Sequence, residues 1–485
     1  MQHGRENRVG LARLSKYEIA LILLFLLTLP FTNPWVRGDG VGYYAFARSV
    51  LIEHRLDFQK DWLEGNTSFR MGRSSASGQI DPRQFTVTGH LDNHFSVGPA
   101  ILWSPFLMVA HAGVLLYDDL GGHVAADGYS KPYVVAMAAG TTIYGFLALW
   151  ISFVLSRRYV PERWAFLATV GIWFGSSLPV YMYFNPSWSH ALSAFSVALF
   201  LWYWIRTRMV RGWAQWLILG VFGGLMMDVY YVNGILLLLP LLESLAGYRA
   251  ALQGSGDEPF GTLFCKNCVF AVMLLVAFLP TLITKKILYG SYLKFGYTEH
   301  WFWRSPAFFK VCFSAEHGLF SWTPILILAV TGLFLLRKYE RDAALYSMAV
   351  FGAYLYTIGC YEDWHGISSY GSRFFVSLTA LFILGLAAFF DAVARIWRER
   401  RAAMVAPAVT AAFVLWNLGL IFQWGTHLIP ARGPISWRAA AYNQVAVVPV
   451  RAASTIKAYL THRKQLMNVI EETDVKQLKS EQTPQ

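Results

Sequence analysis

The chain has 485 residues, 55% hydrophobic and only 14% charged, roughly half the share of charge usual in soluble domains, which excludes an ordinary water-soluble enzyme and makes lipid the solvent. The formal charge of +12 does not point to nucleic acid, because Lys and Arg fall in short clusters between apolar runs rather than along one face. Aromatics reach 16%, including 19 Trp and 25 Tyr, rings that suit the two membrane interfaces.

A membrane span needs about 20 apolar residues, since the hydrocarbon layer is about 30 Å thick and a helix rises about 1.5 Å per residue. The first such run is Tyr17 to Trp35, preceded by Arg5, Arg8, Arg13 and Lys16, which the positive-inside rule places in the cytoplasm. This run is long and a polar loop follows it, so it is expected to stay as an anchor and not to be cleaved as a signal peptide. Ten further spans are predicted: Tyr133 to Leu155, Trp164 to Phe184, Ala191 to Ile205, Trp213 to Val229, Gly234 to Tyr248, Cys268 to Leu288, Trp322 to Leu336, Ala343 to Cys360, Phe374 to Ala392 and Ala403 to Trp424. Each segment then assigned to the cytoplasm carries two to four basic residues, while the short external turns Phe184 to His190 and Asp228 to Asn233 carry none. Counting the apolar stretch Val97 to Leu116 as a span would put Arg157, Arg158 and Arg163 outside, so it is expected to be re-entrant or interfacial. The expected fold is thus an all-α polytopic membrane protein of about eleven helices, with a transmembrane domain over residues 1–424 and a cytoplasmic N-terminus. Its first external loop runs over about 36–131, and an external tail over 425–485 contains amphipathic helices.

The four cysteines form no disulfide framework, and Cys265 with Cys268 lack the second pair a zinc site requires; Cys312 and Cys360 would both lie outside the cytoplasm and could pair. Directly after the first span the sequence reads RGDGVGYYAFARSVL. Val41, Tyr44, Ala45, Arg48 and Leu51 share one helical face there, and Asp39 precedes it. The carboxylate is either a helix N-cap or a general base held at the lipid boundary, where a water-soluble acceptor meets a lipid-borne donor. The glycine spacing is not a nucleotide-binding loop, because no strand precedes it.

These residues resemble the GT-C superfamily of membrane glycosyltransferases, in particular bacterial relatives of the protein O-mannosyltransferases and aminoarabinose transferases. Those families have an acidic residue followed by a helix bearing Tyr and Arg in the first external loop, matched here by Asp39, Tyr43, Tyr44 and Arg48. Four more stretches are similar in the same order: NHFSVGPAILWSPF from Asn93, FNPSWSHALSAF from Phe184, HGLFSWTPILIL from His317 and WHGISSYGSRFF from Trp364. The resemblance covers most of the chain. It implies a GT-C fold and inverting transfer of a sugar from a polyprenyl-phosphate donor to an extracytoplasmic acceptor, which could be a protein, a lipid or a glycan. Asp39 would be the base. Donor phosphate or substrate would be held by Lys285, Lys286 and Arg373, with Arg48, Tyr43, Tyr44, His190 and His365 as further binding candidates; each lysine could equally be snorkelling toward head groups.

The chain departs from the family pattern in two places. The turn after the third span, NPSWSH, offers His190 where a second acidic residue is common, and MDVYYVNG puts Asp228 and Tyr230 where a cation usually follows the fifth span. Glu316, His317, Glu362, Asp363 and His365 could bind acceptor, hold a metal or be solvated. No cofactor is predicted and a divalent metal stays open. The expected partners are the donor, membrane lipids and the acceptor, in the cytoplasmic membrane of a bacterium. Competing readings are a lipid or solute transporter, which calls for central charges and broken helices in corresponding halves, and a catalytically silent relative serving as a complex subunit.

Overall fold

The computed structural model describes residues 14–75, 77–208, 211–397 and 399–482; Arg5, Arg8 and Arg13 of the N-terminal basic cluster lie outside the described residues. Helix follows helix throughout, and among the described residues β-pairing is limited to three isolated bridges.

Helix α1 (Lys16–Thr28) starts at a capping box, with Ser15 Oγ accepting from the Glu18 amide and Glu18 accepting from the Ser15 amide, and it ends in a 3₁₀ turn at Pro30. The loop beyond it carries α2 (Asp39–Leu51) and the short helices α3 (Gln59–Glu64) and α4 (Thr67–Arg70), then α5 (Gly98–Asp119). Two long helices or helix pieces follow, α6 (Lys131–Ser156) and α7 (Glu162–Gly175). Then come α8 (His190–Thr207), α9 (Trp213–Val229), α10 (Leu238–Leu252) and α11 (Phe260–Tyr289). After a loop that holds α12 (Phe308–Phe313) and α13 (Leu319–Trp322), the bundle resumes with α14 (Ile325–Leu335), α15 (Arg341–Cys360), α16 (Thr379–Ile396) and α17 (Glu399–Gly425). The tail folds as α18 (Trp437–Tyr442), α19 (Val448–Thr461) and α20 (Arg463–Gln482).

Seven of the described helical stretches are long and apolar enough to cross a membrane: α5, α6, Tyr231–Leu252, α11, α15, Arg373–Ile396 and α17. The chain is a helical, multi-pass membrane protein. Helix α16 is buried around almost its whole circumference, with α6, α7, α8, α14 and α17 packed about it.

The structure refines three expectations. The third predicted span is not one helix: α7 stops at Gly175, Ser176 is extended, and a wide turn over Val180–Phe184 follows Pro179. Proline has no amide hydrogen to donate, so the break leaves carbonyls to be satisfied by other groups. Asn417 of α17 supplies the donors, its Nδ2 reaching the carbonyls of Phe174 and Ser176 at 2.8 Å each, while Tyr370 donates to its Oδ1 at 2.8 Å.

The stretch expected to be re-entrant forms the continuous 22-residue α5. Trp103 Nε1 donates to Thr141 Oγ1 at 2.8 Å and His111 Nδ1 lies 2.6 Å from the Tyr133 hydroxyl, so α5 runs antiparallel to the first part of α6. Its Gly98 end abuts Val229.

Helix α2, expected to bury one face, is buried from Gly40 to Ser49 on every side. A Cβ at Gly40 would sit 2.0 Å from Ser187 Oγ and one at Gly42 would sit 2.0 Å from the Phe95 ring, so both glycines serve close packing. The first loop thereby gains an apolar cluster of its own around Phe46, Trp62, Phe69, Phe95 and Trp103, continuous with the bundle through Leu192, Val229 and Leu288. Cys312 and Cys360 are both buried free thiols and do not pair.

Candidate active site

Asp39 is the first residue of α2 and Gly38 is the cap residue, so the carboxylate does not cap its own helix. It reaches across the bundle: Arg373 Nη1 donates to Asp39 Oδ2 at 2.5 Å, with 34% of the Asp39 side chain and 13% of the Arg373 side chain exposed. Arg373 stands at the end of the turn that leads into α16, its guanidinium 4.7 Å from the Trp188 ring and 5.5 Å from that of Phe374. Trp188 in turn donates from Nε1 to the Arg37 carbonyl at 3.0 Å. Arg373 Nε is buried without a hydrogen-bond partner among the described residues, and an orphaned charged donor beside an opening is what a bound anion would satisfy.

The opening is a cavity of about 590 Å³, within the range of ligand pockets. Asp39, Arg373, Arg37 and Trp188 sit at one end. From there the walls turn apolar: Phe174, Pro179, Tyr183 and Phe184 of the broken span, Leu418, Ile421 and Phe422 of α17, and Tyr459, Leu466, Met467 and Ile470 of the tail helices. The break in α7 opens one wall of this slot. Arg73 also lines it; its guanidinium lies 4.3 Å from the Phe69 ring and donates from Nη1 to the Phe69 carbonyl at 2.9 Å, and it forms no ion pair among the described residues.

Of the residues singled out from sequence, Asp39 and Arg373 meet at this cavity. Tyr43 lies one helical turn beyond Asp39, packed on Phe95 at 4.7 Å; burial first, and then the Asp39 charge, push its phenol well up, so it stays neutral. The other candidates are placed elsewhere. Tyr44 points away and donates to the Gly128 carbonyl at 2.5 Å. Arg48 is fully buried in a bidentate pair with Asp61 at 2.7 and 2.6 Å, and also binds Glu53 at 2.5 Å, so its charge is already matched. Lys285 is buried and donates to the carbonyls of Asn93 and Phe95 at 3.0 Å, tying the first loop to α11. Lys286 donates to the Gly290 carbonyl at 2.9 Å at the end of α11. His190 is buried behind Trp188, edge-on to Tyr181 at 4.7 Å, and does not line the cavity.

His365 shares the turn with Arg373 but faces Glu316, at 3.6 Å, and Asp363, at 3.9 Å. Among the described residues no group of three or more His, Cys, Asp or Glu side chains is arranged to hold a metal. Sequence reasoning missed Arg73, which sits in a polar stretch with no periodic signal, and the contribution of the tail to the slot.

Fold and site together define a class: a multi-pass helical membrane protein with a carboxylate–guanidinium pair at the polar end of an apolar slot. The sequence matches no family model and no curated protein. Among solved structures it is similar to the crystal structure of ArnT from Cupriavidus metallidurans bound to undecaprenyl phosphate, at 12% identity and a TM-score of 0.42, covering 84% of this chain and 70% of that one.

Proposed function

We propose that the chain is a GT-C-type glycosyltransferase of the bacterial cytoplasmic membrane, transferring a sugar, hexose or pentose, from a polyprenyl-phosphate donor to an extracytoplasmic acceptor with inversion. The observation that carries this reading is the Asp39–Arg373 pair at the mouth of an apolar slot. A polar reaction centre continuous with an apolar channel suits a substrate that is half lipid and half sugar. In this reading the isoprenoid tail lies between α17, the broken third span and the tail helices, with its phosphate toward Arg373 and Arg73.

Asp39 accepts the proton of the acceptor hydroxyl, whose oxygen forms a bond to the anomeric carbon. The bond from that carbon to the phosphate oxygen breaks, and the phosphate leaves with the electron pair. Protonation of Asp39 removes the charge that Arg373 pairs with, in the same step in which the departing phosphate gains charge. The guanidinium is thereby freed toward the anion without having to travel. Removal of one such preorganised donor costs about 3 to 4 kcal/mol of transition-state stabilisation in other enzymes.

A silent relative would wall Asp39 off from any groove, whereas here it lines one. The cavity is lined by the C-terminal ends of α1, α7 and α17 and by the turn before α16 rather than by the middles of those helices, which speaks for chemistry at an interface more than for alternating access. The deciding experiment uses purified protein and a radiolabelled polyprenyl-phosphate sugar: Asp39→Asn is expected to abolish transfer. Undiminished transfer by that variant refutes the role given to Asp39.

A further inference from the structure

The two turns around Asp39 are gripped by the other end of the chain. Glu471 of α20 accepts from the Ser68 amide at 2.6 Å and from Asn66 Nδ2 at 3.0 Å. The Oδ1 of the same Asn66 accepts from the Gly38 amide at 3.0 Å, so a single side chain links α20 to the residue before Asp39. One turn further along α20, Asp474 forms an ion pair with Arg37, the residue on the other side of Gly38, and lies 3.0 Å from His427 Nε2. Burial pushes the Asp474 carboxyl up, but the His427 hydrogen bond and the Arg37 charge outweigh it and hold the group below the usual carboxylate range.

Gly38 itself has φ +52° and ψ −133°, a backbone conformation that side chains disfavour and that holds only when its surroundings fix it. The remaining length of the tail is pinned as well. Tyr459 donates to the Phe31 carbonyl at 2.8 Å, and Arg463 donates to the carbonyls of Thr32 and Pro30 at 2.5 Å.

We infer that Glu471 and Asp474 are positioning residues for the reaction: by clamping Gly38 and Arg37 from α20 they aim the Asp39 carboxylate at the acceptor and toward Arg373. The inference rests on the glycosyltransferase reading above for its catalytic meaning, but the clamp is readable without it. Neither residue touches substrate. Their effect travels through two hydrogen bonds and one ion pair to a turn that is otherwise held at the Arg37 carbonyl, which accepts from the Gly40 amide and from Trp188 Nε1.

The test compares wild type with Glu471→Ala/Asp474→Ala in the full-length protein, following amide hydrogen exchange over residues 36–43, binding of undecaprenyl monophosphate in detergent, and transfer. Exchange at the Gly38 and Gly40 amides is expected to rise about ten-fold. The turnover number is expected to fall about ten- to a hundred-fold, with donor KM and monophosphate affinity kept. A merely structural role would lower turnover and monophosphate affinity together and raise donor KM, or lower only the thermal midpoint. The charge swap Arg37→Asp/Asp474→Arg, with Glu471 intact, is expected to restore most of the turnover lost in Asp474→Ala, which keeps the test open should the double variant fold poorly. Unchanged exchange overturns the clamp on its own. Raised exchange with full transfer, in a preparation where Asp39→Asn is inactive, overturns its bearing on catalysis. Full transfer by Asp39→Asn instead sinks the functional reading, and that outcome is told apart because the exchange measurement does not depend on it.

Discussion

Arg373 and Arg48 show how two arginines of equal formal charge take different parts. Arg48 is saturated: three of its nitrogens meet carboxylate oxygens of Asp61 and Glu53 in a dry setting. Arg48→Ala leaves Asp61 buried and uncompensated and is expected to destabilise the protein by about 3–5 kcal/mol, read as a lower unfolding midpoint in detergent. Arg373 keeps an unpartnered Nε and a cavity in front of it, so its loss should register in chemistry. Arg373→Lys retains a charge but not the planar fork, and a drop in transfer of about a hundred-fold is expected, as for loss of one oriented donor. Arg73→Ala is expected to weaken binding of undecaprenyl monophosphate about ten-fold, equivalent to about 1.4 kcal/mol.

His317 titrates differently. Burial lowers its imidazole from the ordinary 6.5 to about 4, with Nδ1 donating to the His365 carbonyl at 2.8 Å. Its folded value is the depressed one, so as pH falls below about 6.5 the unfolded chain takes up a proton that the folded chain refuses. Stability is full above that pH and is lost progressively down to about pH 4, by about 3 kcal/mol in all. Thermal melts of His317→Phe should lack that acid slope, and an identical slope in the variant would remove His317 as its cause.

At the scale of elements, much was legible because a helix in lipid writes itself as an apolar run, and α6, α11, α15 and α17 fall where hydropathy put them. What hydropathy does not report is continuity. The sequence from Trp164 to Phe184 is apolar throughout, and only Pro179 with its neighbouring serines marks the break whose carbonyls Asn417 satisfies. Asn417→Leu removes both donors and the nearer of two acceptors for Tyr370, which keeps only the Asn417 backbone carbonyl at 3.2 Å, at about 1–3 kcal/mol for each buried group left unpaired. A fall in the unfolding midpoint larger than that of Asn443→Leu, a tail residue with one long hydrogen bond of 3.4 Å, is the expected result.

The candidate site was legible where a residue carries a charge next to glycines, as at Asp39, or within an ordered motif, as at Arg373, the two that line the cavity together. Lys285 misled because a lysine near a span end looks the same whether it faces a ligand or two backbone carbonyls. Arg73 gave no signal because loops have no period to violate.

Seen whole, the slot belongs to no single stretch of chain. Arg37 and Asp474, which meet across it, stand 437 positions apart, and every bundle helix from α2 to α17 is laid down between the making of one and the making of the other. The slot can therefore close only after the intervening helices have been inserted, which puts its completion late in biogenesis. Partly inserted chains would present Asp39 and Arg37 without the wall that shields them, so a nascent protein has no complete slot. The slot is a property of the assembled bundle rather than of any part made along the way.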